Sequence, residues 1–230
     1  MSKTFEIDID DEWQDFCEGG DKISQAPQLD YNNKEAPKGT DIYISTKTKI
    51  TYLSHPINLS DVFWKIRILQ YYIPEEGIIK KQMKFNFINE EEVEQTNKRL
   101  EGEKNVDDMI ITEIRNPDGR IKFKVIKKIS IGMCSKDITS YRSKKKGAFY
   151  NCFVLILRIM AETGKFKEVH VKVFNTGKLE IPGIRDDKLL MKVMDKMLDI
   201  LRSITGNNDI TYDRENTETV LINSNFNCGY

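Results

Sequence analysis

No run of apolar side chains in this 230-residue chain approaches the roughly 18 that a membrane-spanning helix needs. Its opening, MSKTFEIDIDDEW, is acidic where a secretory or mitochondrial leader is basic. These absences point to a soluble, unexported, intracellular protein. The four cysteines (Cys17, Cys134, Cys152, Cys228) lie far apart with no CxxC pair, and only His55 and His170 could assist them. Neither a zinc site nor a disulfide framework is indicated, and free thiols in a reducing compartment are the expectation. There is no GxxxxGK[ST] or GxSxG, and neither histidine sits beside a paired carboxylate or serine motif. The chain therefore reads as nonenzymatic, with no cofactor implied. At 39% hydrophobic and 31% charged it has a modest allotment for a core, so part of it is expected not to fold alone.

What the chain does have is charge, and the charge is unevenly placed. Thirty-six basic and 36 acidic side chains cancel overall. Residues 1–37 nevertheless hold ten acids against Lys3, Lys22 and Lys34, a balance of −7, which leaves +7 on the rest. Residues 121–180 carry fourteen Lys/Arg against Asp137, Glu162, Glu168 and Glu180, or +10. Such asymmetry suggests a polyanionic partner for the body with an acidic tail beside it. Residues 1–40, punctuated by Gly19-Gly20, Pro27, Asn32-Asn33 and Pro37, read as a disordered acidic arm. Trp13 and Phe16 sit among its carboxylates, a mixture found in segments that order on a partner surface; a purely solubilising tail is the alternative.

From Asp41 the pattern becomes that of a fold. Ile42–Leu53 alternates and is β-branched, which predicts a strand, and Asn58 or Ser60 caps a helix over DVFWKIRIL. Residues 78–88 read as extended, and 90–104 as a polar helix or solvated loop. Residues 109–115 and 120–126 flank the hairpin turn Asn116-Pro117-Asp118-Gly119. Ala148–Met160, Phe166–Phe174 and Lys178–Ile181 form an antiparallel meander ending before Pro182-Gly183. A helix follows from Asp186-Asp187 to Gly206, with Leu190, Met194, Met197, Leu198 and Leu201 recurring at three and four. Asn216–Tyr230 begins another strand without turn, partner or helix, and reads as the truncated opening of a second repeat.

The passage VHVKVFNTGKLEIPG followed by a long amphipathic helix resembles the TATA-box-binding protein repeat, whose pattern runs (apolar)-F-x-x-G-K-x-x-x-x-G. With KKKGAFYNCF and VLINSNFNCG included, the chain is most similar to the TATA-binding-protein-like transcription factors of large nucleocytoplasmic DNA viruses. The resemblance implies an α+β fold, a saddle of curved antiparallel sheet with helices on the convex face. Residues 41–206 would be the first repeat, with an inserted hairpin region at about 72–145, and 207–230 the opening strand of a second. It also implies docking of the concave face in the minor groove of double-stranded promoter DNA. There phenylalanines wedge between base steps, and the unstacking is offset by wrapped contact area.

On this resemblance Phe174 falls at a wedge position. Strand parity puts Lys172 and His170 on its face and turns Val169, Val171 and Val173 toward the helices. Arg142, Lys144, Lys145, Lys146 and Arg158 match phosphate-contacting positions, which fix register without reading sequence. Anchoring on Arg158 makes Cys152 the partner wedge position, with Phe149 or Phe153 reaching it only through a bulge or shift. Asn225 is the corresponding DNA-binding residue on the last strand. The implied partners are other initiation factors and an RNA polymerase, plus a second copy of the chain if it holds a single repeat; the implied place is a viral factory, the host nucleus or cytoplasm, or the virion. The pattern departs from cellular relatives at Glu180 and Pro182, where small apolar or hydroxyl groups are usual. A carboxylate there faces an acceptor-rich groove floor, which motivates a rival reading: a virion or protein-interaction module that keeps the fold without promoter binding. Stacking of single strands or RNA on Phe149, Tyr150 and Phe174 is a third.

Overall fold

A computed structural model describes residues 38–140 and 151–228. The chain divides into a body, Asp41–Phe226, and a second unit of flanking residues. In the flanking unit the Thr40 backbone N–H donates to the Asn227 carbonyl at 2.8 Å. The basic run at 142–146, Phe149, Tyr150, Trp13 and Phe16 lie outside the described residues.

Among the described residues the body is α+β, built on one antiparallel sheet of eight strands. They are β1 (Tyr43–Tyr52), β2 (Gly77–Phe87), β3 (Val106–Arg115), β4 (Phe123–Gly132), β5 (Cys152–Met160), β6 (Phe166–Phe174), β7 (Lys178–Ile184) and β8 (Glu218–Asn225), in the order β3-β4-β2-β5-β6-β7-β1-β8. The helices are α1 (Leu59–Lys65), α2 (Glu90–Glu101), α3 (Ser135–Thr139) and α4 (Asp187–Thr205). Among the described residues no helix is long and apolar enough to cross a membrane.

The alternation in β6 forms a strand buried on one side. Val169, Val171 and Val173 are buried, while His170, Lys172 and Phe174 are half-buried on the opposite face. The valines join Leu155, Leu157, Leu179 and Ile181 in a core that α1, α2 and α4 cover. Helix α4 supplies seven buried residues, among them Val193, Met194, Met197 and Leu201, each worth about 1.5–3 kcal/mol when fully removed from water. Its start is fixed by Asp186, whose carboxylate accepts from the Leu189 N–H at 2.7 Å, and its end by Gly206 at φ 69. Such caps contribute about 1 kcal/mol each. Over β2 the cover is aromatic: Phe63 and Phe85 meet edge to face at 5.2 Å, and Phe85 stacks on Phe87 at 6.0 Å.

Lys81 lies on the helix side of β2 and is fully buried. Its ammonium donates to the Phe63 and Ile66 carbonyls at 2.9 and 2.8 Å, which ends α1 by satisfying carbonyls the helix leaves open. Burial lowers its pKa.

Four features differ from the sequence expectation. The hairpin on Asn116–Gly119 is longer than expected on both sides, and it extends the sheet beyond β2 as its two outer strands. Strand β7 does not stop at Ile181 but runs through Pro182 and Gly183, which sit where the β1–β7 ladder shifts register. A bulge tolerates a residue without an N–H and a glycine at φ 82. Asn151, at φ 61, stands outside the strand, so β5 begins at Cys152; residues 148–150 of the expected strand lie outside the described residues. Finally, residues 218–225 do have a partner: β8 pairs antiparallel with β1 along most of its length.

Candidate nucleic-acid interface

The ladders place the side chains of the second sheet face in rows across the strands. One row runs Gln82, Val154, Lys172, Glu180, Ile50, each directly opposite the next on neighbouring strands. Beside it Lys80, Ile156 and His170 form another, and Cys152 stands opposite Phe174. At the β2–β4 ladder Lys84 stands opposite Lys128. Lys178 follows the turn from β6 and holds its ammonium 5.7 Å from the centre of the Phe174 ring. Among the described residues the face thus mixes lysines with Glu168 and Glu180, apolar Val154, Ile156 and Ile50, and two half-buried phenylalanines, Phe166 and Phe174.

The turn that presents Phe174 and Lys178 is rigid for a backbone reason. Gly177 has φ +86, and a Cβ there would sit 2.8 Å from the His55 carbonyl. The Gly177 and Asn175 carbonyls accept from the Leu53 and Ile57 N–H groups at 2.8 and 3.0 Å. The Gly-Lys pair is accordingly a hairpin turn tied to the 53–57 loop.

Lys172 and Glu180 carry separate expectations from the sequence, one as a DNA-binding residue on the face of Phe174 and the other as a carboxylate repelled by the groove floor. They form an ion pair, Nζ to Oε1 at 2.5 Å. The pairing neutralises the carboxylate and commits much of the lysine's charge.

Two assigned residues are placed elsewhere. Phe153 is fully buried in the core on the helix side, opposite Val173, and the β5–β6 ladder runs from Cys152 to Met160 without the bulge needed to turn it over. Arg158 is on the second face but buried, with its guanidinium donating to the carbonyls of Glu75 at 2.9 Å, Tyr71 at 2.7 Å and Ile73. Its ring contacts to Tyr71 and Phe166 fill the remaining surroundings. Arg158 therefore clamps the 71–75 loop and has no donor directed to a phosphate. Asn225 lies exposed at the end of β8, opposite Tyr43.

A small cap covers one end of this face. Cys134 packs with Ile79 and Ile156, joined by Leu69 and Tyr71. Both carboxylate oxygens of Glu168 accept from the Ser135 N–H, at 3.0 and 3.1 Å, and one also accepts from the Ser135 hydroxyl at 2.8 Å. Lys80 Nζ reaches both oxygens of Asp137 at 2.7 and 2.8 Å. The cap begins where Gly132, at φ +95, brings its Cα against the Ile79 carbonyl; a Cβ there would be 2.1 Å from that oxygen. Beneath it, burial and the nearby Lys136 push the His170 pKa below its ordinary value. Burial also raises the Cys134 thiol, and hydrogen bonding to Asp137 adds to the shift. Burial acts to raise the Asp137 carboxyl, but its bonds from Lys80 and Cys134 leave it lowered.

Sequence reasoning missed Lys80, Lys84, Lys128 and Lys178 as members of the face. Part of the signal was present in KKQMKFNF, where Lys80, Gln82, Lys84 and Asn86 recur at period two; FKVIKKIS does not alternate in this way. Only the sheet order brings those two strands onto the face of Phe174. Among the described residues no group of three or more His, Cys, Asp or Glu is gathered to hold a metal ion. Compared with known proteins, the chain matches no family model, no curated protein and no solved structure.

Proposed function

We propose that the chain is a nonenzymatic, TATA-binding-protein-like transcription initiation factor that lays the second face of its sheet in the minor groove of duplex DNA and bends it. The observation that carries this reading is the one-sidedness of the sheet. Helices α1, α2 and α4 and the main apolar core occupy one face, while the other, capped at one end by α3, holds Phe174 together with Lys84, Lys128, Lys172 and Lys178. Lysines at the margins supply sequence-independent attraction to phosphates, and the phenylalanine supplies the apolar wedge that partly unstacks a base step. Recruitment of other initiation factors and a polymerase at promoters follows from this reading, in a viral factory or a host nucleus or cytoplasm.

A salt titration tests it. Duplex affinity of the full chain should fall linearly on a log–log plot, with a slope of about −0.9 for each phosphate neutralised. A flat response would favour the second reading, a protein-interaction or virion module on the same fold. That reading draws support from the Lys172–Glu180 pair and from the exposed apolar residues of β1 and β8, Tyr43, Ile44, Leu221 and Ile222.

A further inference from the structure

The two edges of the sheet are unlike. Strand β3, at one edge, carries Asp107, Asp108, Glu113 and Arg115, the charges with which proteins discourage strand addition. Strand β8, at the other, has a single charge, Glu218, and no proline. All eight of its residues are exposed, with Leu221 at 51% and Ile222 at 56%. It pairs with β1 on one side, and its outer row of backbone groups is a template for another strand.

We propose that the occupant of this edge is a second copy of the chain, joined β8 to β8 in antiparallel register about a two-fold axis at Leu221. The sequence is self-complementary in that register. Leu221 meets Leu221 of the other copy on the axis, Val220 meets Ile222, Thr219 meets Asn223, and Glu218 meets Ser224, so no like charges oppose each other. Apolar cross-strand pairs of this kind stabilise antiparallel pairing, and the symmetry repeats each pair that lies off the axis. The axis stands perpendicular to the sheet, so the two copies form one continuous sheet of sixteen described strands. It leaves both copies of Phe174 on the same side. The pairing itself is independent of the DNA reading; if both hold, the dimer doubles the lysine-bearing face.

Sedimentation equilibrium of the full chain should give about twice its 26.8 kDa mass. Leu221→Lys with Ile222→Lys should give monomers, as should Leu221→Glu with Ile222→Glu, because each pair sets like charges against each other across the axis. Mixing the two variants should restore a mixed dimer, which an unfolded chain would not do. A wild-type chain of monomer mass, a dimer indifferent to either pair of substitutions, or variants that fail to recombine would each overturn the proposal.

Discussion

Lys84 and Lys128 stand directly opposite each other across the β2–β4 ladder. In the proposed function a phosphate above them is attracted by both. Lys128→Ala should therefore leave the chain folded while weakening duplex affinity. The salt slope should become shallower by about 0.9. Isothermal urea denaturation and the salt titration read the two effects separately, and an unchanged slope would remove Lys128 from the contact surface.

Arg158 should behave in the opposite way. Its substitution by Met strands three carbonyls in the 71–75 loop, with an expected loss of about 3 kcal/mol in urea denaturation. The salt slope of the folded variant should match the parent. A shallower slope would restore Arg158 as a phosphate contact.

Acid should loosen the region under the cap. The folded-state pKa of His170 is held below 6.5 by burial and by Lys136 and Lys80, with Glu168 and Asp137 opposing. A depressed folded pKa means that the unfolded chain takes the proton first. This contribution is complete above about pH 6.5 and is lost as the pH falls below it. Asp137, depressed from 3.8, adds a loss only at much lower pH. Urea midpoints should thus fall between about pH 7 and about pH 5, and His170→Gln should flatten that fall. An equal fall in the variant would assign the effect elsewhere.

Much of the fold was legible because period and punctuation act locally. The valines of β6 and the three-and-four spacing of α4 identify their own buried sides, and Asp186 and Gly206 mark where the helix can begin and end. The edge joined by the 106–132 hairpin was not legible, because alternation defines the faces of a strand without naming its neighbour. The site was legible in part for the same reason. Phe174 and Lys172 fell on one face by parity, whereas the role of Arg158 depends on backbone carbonyls more than 80 residues away. Glu180 looked repulsive in isolation, and only the β6–β7 register brings Lys172 to it. Phe153 shows the limit of matching by position: an unbroken ladder leaves it no way out of the core.

The most direct test is the bend itself, read by energy transfer between dyes at the two ends of a short duplex. The full chain should draw the dyes together. Phe174→Ala, at a half-buried position whose loss should spare the core, should still bind but bend the duplex markedly less. Equal energy transfer from the parent and the variant, or a duplex that stays straight with the parent bound, would contradict the account.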